Sequence, residues 1–307
     1  MKTVIDLGEG IVQIKVPLPF PLLWVNAYAV RGTDGWTVID PGLRTPQAEE
    51  RWEEAASSIG LEWKDVTCIV LTHHHPDHYG MTGWMQERSK APVYCTGEAR
   101  RQAESLWGEK AEETASAILD LFTAHGLPGE LAGPMRDHLH GFIAWVSPQP
   151  ADFRTIRPGD TFRIGDANYE ALLTEGHAAG HLSFLNRENG RIFCGDHVLP
   201  GITPNVSYIP GGDMNPLRTF LLSLAETEKL PVSEALPGHR DPFRHYAERC
   251  AAIRKHHDER LERMKALREL SPDAYAICRS LFGDKLSVHQ LRFALSETIA
   301  HLIYMES

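Results

Sequence analysis

A run of β-branched and apolar residues, Val66-Thr67-Cys68-Ile69-Val70-Leu71, feeds directly into Thr72-His73-His74-His75-Pro76-Asp77-His78. No other stretch of the chain restricts its fold as tightly. The first six residues suit a buried strand. Pro76 argues against a regular helix or strand through the cluster, and Gly80 and Gly83 follow it. The sequence therefore sets imidazoles and a carboxylate on an irregular loop at the lip of a sheet. Imidazole nitrogen and carboxylate oxygen are the donors that divalent zinc, manganese and iron take in hydrolytic sites. A lone His on a loop is ordinarily just solvated. Four donors, His73, His75, Asp77 and His78, packed within six residues form a metal-site pattern.

One loop cannot complete a catalytic site, and three later segments offer the remaining donors. Tyr169-Glu170-Ala171-Leu172-Leu173 leads into Thr174-Glu175-Gly176-His177, Arg191-Ile192-Phe193-Cys194 into Gly195-Asp196-His197, and Ser233-Glu234-Ala235-Leu236 into Pro237-Gly238-His239. In each, a glycine lets the backbone turn sharply or pass close to another group. Gly-Asp and Pro-Gly-His are common enough in loops to mean little singly. Their shared position after strands gives them weight.

With these segments assembled, the chain resembles the metallo-β-lactamase-fold hydrolases. His73, His75, Asp77 and His78 match the HxHxDH motif of that family, and His177, Asp196 and His239 match its three later ligand motifs. Val38-Ile39-Asp40-Pro41-Gly42-Leu43 matches the early strand whose Asp lies behind the metals, and Val25-Asn26-Ala27-Tyr28 matches the hairpin before it. Within that family the chain resembles the glyoxalase-II-like bacterial hydrolases with a short helical, truncated winged-helix-like C-terminal domain. The resemblance implies an α+β fold, a four-layer αββα sandwich, over residues 1–243, with a helical insert at about 98–147 and a helical C-terminal domain at 244–307. It implies two divalent ions, zinc being expected and iron or manganese compatible. His73, His75 and His177 would hold one ion, Asp77, His78 and His239 the other, and Asp196 would bridge them. A hydroxide shared by the ions would attack the substrate, with Asp77 orienting it and serving as the catalytic proton carrier. Asp40 would fix a ligand imidazole from behind. Tyr79 and Tyr208 are weaker candidates for hydrogen bonding to a substrate carbonyl. His74 is expected to point away from the ions, His181 to support the His177 loop and His197 to face away from Asp196.

Bulk properties narrow the partners. The chain of 307 residues carries a net charge of −10, which opposes broad attraction to nucleic acid or to anionic membrane. Five cysteines, odd in number and scattered, fit reduced thiols rather than a disulfide frame. A secretory signal is not expected in the opening residues, since Pro19 and Pro21 interrupt the apolar stretch from Leu18 to Val30. A cytoplasmic enzyme acting on a small molecule, with no membrane partner, is the expectation.

Pattern places the helices. Thr45-Pro46 opens one whose Trp52, Ala55, Ala56 and Ile59 share a face and which Gly60 stops. Another begins near His78. Within the insert, Ala115, Ile118, Leu119 and Phe122 form one stripe, and Met135, Leu139, Phe142 and Ile143 another. The insert reads as a packing layer or as a cap over the metals. Residues 243–269 read as one long helix with Tyr246, Cys250, Ile253, His257, Leu261, Met264 and Leu267 on a single stripe. Ser271-Pro272 is expected to cap a second helix and Ser287 a third. Residues 244–307 hold 11 Lys and Arg against 9 Asp and Glu, a net of +2 that leaves −12 on the remainder. So weak a positive module suits packing behind the catalytic domain, or homodimerisation, rather than RNA.

The reading is a dinuclear hydrolase acting on a small ester, thioester or lactone. A metal-dependent phosphodiesterase or endoribonuclease is the runner-up, and a non-catalytic metal-binding or sensor protein is a third alternative. The pocket walls are expected in the insert and in the loop 199–215.

Overall fold

The structure, a computed structural model, describes residues 2–271 and 273–307. Its first sheet has seven strands in chain order: β1 (Val4–Asp6), β2 (Ile11–Pro17), β3 (Trp24–Gly32), β4 (Gly35–Ile39), β5 (Val66–Val70), β6 (Val93–Cys95) and β7 (Phe153–Thr155). The first four pair antiparallel, and β4 to β7 pair parallel. The second sheet has five strands: β8 (Thr161–Ile164), β9 (Ala167–Leu173), β10 (Leu182–Leu185), β11 (Arg191–Gly195) and β12 (Glu234–Pro237).

The helices are α1 (Pro46–Ile59), α2 (Pro76–Tyr79), α3 (Thr82–Ser89), α4 (Gly97–Trp107), α5 (Ala111–Ala124), α6 (Gly129–Trp145), α7 (Pro216–Thr227), α8 (Tyr246–Leu270), α9 (Ala274–Phe282) and α10 (Val288–Met305). None is long and apolar enough to cross a membrane.

Successive residues of a strand point to opposite faces, and in the central strands of both sheets both faces are largely buried. Ile69 of β5, and Leu71 just past its end, pack toward the helices while Cys68 and Val70 pack toward the second sheet. In β11, Phe193 points between the sheets, and Ile192 and Cys194 point outward under α7 and α8. Three apolar layers result, separating helices, sheet, sheet and helices. This is the four-layer αββα sandwich. The near-continuous apolar runs in β5 and β11 follow from burial on both sides.

Local signals act as expected at α1, where the Thr45 hydroxyl accepts from Ala48 N–H at 3.1 Å and Gly60 closes the helix at φ 68°. All the stripe residues of α8 are buried except Leu267, which is half-buried. Two expectations need correction. Pro76 does not keep helix out of the His cluster: it begins the single turn α2, because proline's missing N–H is one that a first turn leaves unpaired anyway. The cap of α9 is Asp273, whose carboxylate accepts from Tyr275 N–H at 2.8 Å. Ser271 ends α8, and the Pro272 half of that expectation lies outside the described residues. Ser287 does cap α10, in a capping box with Gln290.

The last three helices divide between layers. The N-terminal half of α8 covers the second sheet, while α9 and α10 join the apolar cluster of the first sheet and the insert helices. Where α8 meets α10, His301 Nδ1 donates to the Glu297 carbonyl at 2.7 Å, so its Nε2 is left to accept from His257 Nδ1 at 3.0 Å. Both rings are buried and neutral, His257 pushed down to about 2 and His301 to about 4, burial being the main cause in each.

An unfolded His takes up its proton near pH 6.5, so this pair contributes stability above that pH that is lost as the pH falls below it. His257→Gln is expected to lower the thermal midpoint at pH 7.5 but to lose less than wild type between pH 7.5 and pH 5. Equal losses in the two proteins would refute the assignment.

Candidate metal centre

Five strands deliver their C-terminal ends to one edge of the sandwich. β4 and β5 are parallel, as are β11 and β12, and β9 runs with β11 because each is antiparallel to β10. Just past those ends stand Asp40, the His73–His78 cluster, His177, Asp196 and His239. The sequence folds this way because the apolar strand interiors are fixed between layers, so the first polar residue after each strand must emerge at the rim.

The rings of His73, His75 and His177 lie with centroids 4.6–5.0 Å apart. His78 and His239 stand beside them, 5.5 Å apart. Asp196 sits between the two groups. Its Oδ2 is 3.7 Å from His177 Nε2 and 3.4 Å from His239 Nε2, and its Oδ1 is 3.4 Å from His78 Nε2. Asp77 Oδ2 is 3.2 Å from His239 Nε2 and 3.9 Å from His78 Nε2.

Most of these separations are long for hydrogen bonds. They are close to the roughly 3.4 Å between two ligands around a tetrahedral ion with bonds of about 2.1 Å.

The other ring nitrogens are tied down. His73 Nδ1 lies 2.9 Å from the Thr72 hydroxyl, and His78 Nδ1 lies 2.9 Å from Asp40 Oδ2. His177 Nδ1 bonds the Asn205 carbonyl at 2.7 Å, and His239 Nδ1 the Trp24 carbonyl at 3.0 Å. Those bonds aim each Nε2 at the common space, where the Nε2 atoms of His73, His78, His177 and His239 are buried with no hydrogen-bond partner. Asp196 Oδ1 is likewise buried and unpartnered. Buried polar atoms are normally satisfied, so five such atoms facing one shared space form a donor set that fits metal cations. Two donor triads come within 4.8 Å, His73–His75–His177 and Asp77–His78–His239.

Electrostatics distinguishes the two triads. Burial pushes His73, His75 and His177 down, favouring the neutral rings a metal needs. At His78 burial works against charge, yet Asp196, Asp40 and Asp77 hold the ring well above its ordinary value. His239 is likewise pushed up to about 10 by Asp196 and Asp77 against the cost of burial. The carboxylates thus demand positive charge at the second triad. Where no metal supplies it, protons do, and metal uptake must displace them.

Two further groupings do not read as ion sites. Asp40 lies near His73 and His78, but its Oδ1 accepts from Thr72 N–H at 2.7 Å, and its Oδ2 accepts from the Thr72 hydroxyl at 2.6 Å and bonds His78. In the buried His257–Glu297–His301 group the carboxylate is already paired with Arg260.

The supporting residues sort clearly. His181 accepts from Asp196 N–H at 3.2 Å through Nε2 and bonds Thr174 through Nδ1, bracing the His177 loop. His197 bonds Thr227, away from Asp196. The His74 carbonyl accepts from Trp107, and its ring belongs to neither triad, although it borders a smaller hollow that His75 and His177 also line. Tyr79 does not reach the site: its ring is in the core and its hydroxyl donates to Gln149 at 2.5 Å. Tyr208 packs on the same core, and neither tyrosine lines the cavity. Sequence reasoning missed Asn205, which holds His177, and the work of Asn26 and Tyr28. The Asn26 amide donates to the Pro237 and Arg240 carbonyls at 2.9 and 2.6 Å, and the Tyr28 hydroxyl to Pro237 at 2.8 Å, fixing the loop that carries His239. Polar residues inside an apolar strand were the available signal.

A cavity of about 460 Å³ opens over the donors, bordered by His75, Asp77, His177, Asp196 and His239. Its walls include Phe20 and Leu22, Phe142 of the insert, residues 202–205 and the face of α10 carrying Arg292 and Phe293. The C-terminal helices are therefore not simply packed behind. Since α9 and α10 join the insert's apolar cluster, the leading half of α10 must run along the open edge, where it forms a wall.

Comparison with known proteins agrees with this geometry. The profile of the metallo-beta-lactamase superfamily matches residues 22–239, and that of a metallo-beta-lactamase-like C-terminal domain matches residues 261–307. A probable metallo-hydrolase of Bacillus subtilis, YqjP, is 26% identical over 97% of this chain and 93% of its own length. A hydroxyacylglutathione hydrolase of Rhodospirillum rubrum is 30% identical over 54% of this chain and 44% of its own. Among solved structures, the metallo-beta-lactamase family protein TTHA1429 of Thermus thermophilus superposes with a TM-score of 0.87 at 33% identity, covering 98% of this chain and 94% of that one.

Two substitutions test the supports. Asp40→Ala should weaken metal binding by about 10–100-fold, the usual effect of removing the partner of a ligand imidazole. In Gly238→Ala the new methyl carbon would lie 2.2 Å from Asp196 Oδ1 and 2.6 Å from His78 Cε1, so metal content per chain after dialysis should fall. Wild-type metal content and affinity in both variants would contradict the geometry.

Proposed function

Because the chain belongs to the metallo-beta-lactamase superfamily, we propose that it is a dinuclear metal-dependent hydrolase of small esters, thioesters or lactones. The observation that carries the reading is the pair of adjoining donor triads with Asp196 between them, the Nε2 atoms of His73, His78, His177 and His239 being buried and unpartnered. His73, His75 and His177 would hold one divalent ion, Asp77, His78 and His239 the other, and Asp196 would bridge. Such ions, when bound, supply Lewis acidity and a water-derived nucleophile near neutral pH. Zinc suits the donors, and so do iron and manganese.

The chain's own residues do the rest. Asp77 is the most exposed of the three carboxylates that border the cavity, its side chain 19% accessible against 9% for Asp196 and 8% for Glu297. It borders the cavity and is positioned to take a proton and return it to the departing oxygen or sulfur. Asp40 and Thr72 fix the strand ends and the His78 ring, so the donors need not reorganise during turnover. The phenyl rings of Phe20, Phe142 and Phe293 exclude water from the acyl side. The hydroxyacylglutathione hydrolase among the relatives acts, by its name, on an acylated thiol, which supports the thioester arm. Residues 244–307 act in this reading as a module that completes the pocket of the catalytic domain, residues 1–243. Five buried, unbridged cysteines support a reducing, cytoplasmic setting.

Metal-loaded protein should turn over a panel of thioesters, esters and lactones. Asp196→Ala should retain fewer than two ions per chain after dialysis and lose about three orders of magnitude in kcat/KM or more, the scale of deleting one member of a catalytic unit. Two ions retained at wild-type affinity would sink the bridging role. Metal-dependent cleavage of unstructured RNA that vanishes in His73→Ala would replace this reading with a nuclease, and full metal loading without turnover of any substrate would leave a metal-binding protein.

A further inference from the structure

The cavity contains a cation that nothing in the protein neutralises. Arg292, on the first turns of α10, is only 7% exposed and lines the same cavity as Asp77, Asp196 and His239. Among the described residues no carboxylate lies within 4.0 Å of its guanidinium, and no carbonyl or hydroxyl accepts from it. What it does touch is aromatic: the Phe142 and Phe293 ring centroids are 5.6 and 5.1 Å away. His138 and His289 lie nearby, both pushed down, burial being the main cause and Arg292 a contributor. They add no negative charge. Glu297, one turn further along α10, is committed to Arg260 and Asn205.

A buried guanidinium ordinarily has a partner, because removing a charge from water is costly unless it is paired and hydrogen-bonded. Stacking on phenyl rings recovers part of that cost, but it satisfies none of the five N–H donors. Burial pushes the group down only to about 10, so it stays charged at neutral pH. The planar fork of donors matches a carboxylate bidentately. The guanidinium is reachable from the cavity, where Phe142 and Phe293 form an apolar wall beside it.

We propose that Arg292 is the specificity-determining residue of this cavity, anchoring a carboxylate remote from the scissile bond, so that the substrate is an anionic ester or thioester. This rests on the hydrolase reading above for the bond that is cut, but not for the binding of the carboxylate. The apolar stretch between the two ends of the substrate would lie along the phenyl rings, and the acyl carbon would sit at the His and Asp donors.

The test uses the metal-loaded full chain and pairs of p-nitrophenyl esters matched in length, the half-esters of succinate, adipate and suberate against the butanoate, hexanoate and octanoate esters. Wild type should favour at least one half-ester over its neutral match by about tenfold or more in kcat/KM, the scale of one buried charge pair. In Arg292→Gln that ratio should collapse toward one, through KM rather than kcat, and Arg292→Lys should recover part of it. A second arm reads binding alone, by calorimetry with adipate, a dicarboxylate, and hexanoate, a monocarboxylate. Wild type should bind adipate more tightly by a similar factor, and Arg292→Gln should not. If no ester is cleaved but the adipate preference is present and depends on Arg292, the hydrolase reading fails and the anchoring role stands. No charge preference in wild type in either arm, or a preference unchanged in Arg292→Gln, would overturn the proposal. Should Arg292→Gln not fold, the wild-type ratios and Arg292→Lys still decide it.

Discussion

Four imidazole nitrogens and one carboxylate oxygen, buried and unpartnered around one shared space, are the constraint around which the rest of the molecule is arranged. In an ordinary core such atoms would each cost the free energy of a lost hydrogen bond. They persist here because every ring is held from its other side, by Thr72, Asp40, the Asn205 carbonyl and the Trp24 carbonyl. Those holders come from four separate parts of the chain. The strand ends, the first hairpin and the loop before α7 must therefore all be in register before the donors converge.

The two triads solve the same problem with different electrostatics. Three neutral rings at His73, His75 and His177 accept a cation without offering one of their own, and burial keeps them that way. Asp77 and Asp196 make the other triad so negative that His78 and His239 hold protons when no other cation is present. With Asp196 between the triads, two divalent ions would meet enough negative charge to tolerate their mutual repulsion. Asp40 extends the same logic one step outward. It is buried, sits at φ 49° and accepts three hydrogen bonds. A non-glycine residue in that left-handed conformation is costly, and the bonds to Thr72 and His78 are the compensation.

Much of this was legible in the sequence, and the reason is local. Each donor follows a strand whose apolar run is readable by itself, so His73, His177, Asp196 and His239 announce their position at the rim. Thr45 and Gly60 bound α1 by side-chain chemistry within three or four residues, and the buried stripe of α8 is visible as spacing. What was not legible depends on contacts between distant segments. Tyr79 looks available beside the His cluster, but its hydroxyl is taken by Gln149, 70 residues away. Pro76 reads as a breaker until its position at the start of a turn is known. Arg292 carries no local signal, since an arginine on an amphipathic helix normally faces water. Only the packing of α10 against the insert turns it inward.

The position of α10 also explains how a terminal helix bears on chemistry performed by strand ends. Asn205 accepts from His177 through its backbone carbonyl, while its side-chain amide donates to Glu297 Oε2 at 2.8 Å and to the Phe293 carbonyl at 3.3 Å. Glu297 is in turn paired with Arg260 of α8, both largely buried. A donor imidazole, the loop before α7, α8 and α10 thus share one chain of hydrogen bonds, and Arg292 and Phe293 lie one turn before Glu297 on the same helix. Buried polar chains of this kind tolerate few alternative arrangements, because each member left unpaired carries a desolvation penalty. The wall that lines the cavity and the ring that faces its floor are therefore set by the same bonds. A pocket built this way keeps the spacing between Arg292 and the His and Asp donors fixed, as the proposed substrate, held at one end and cut at the other, would require.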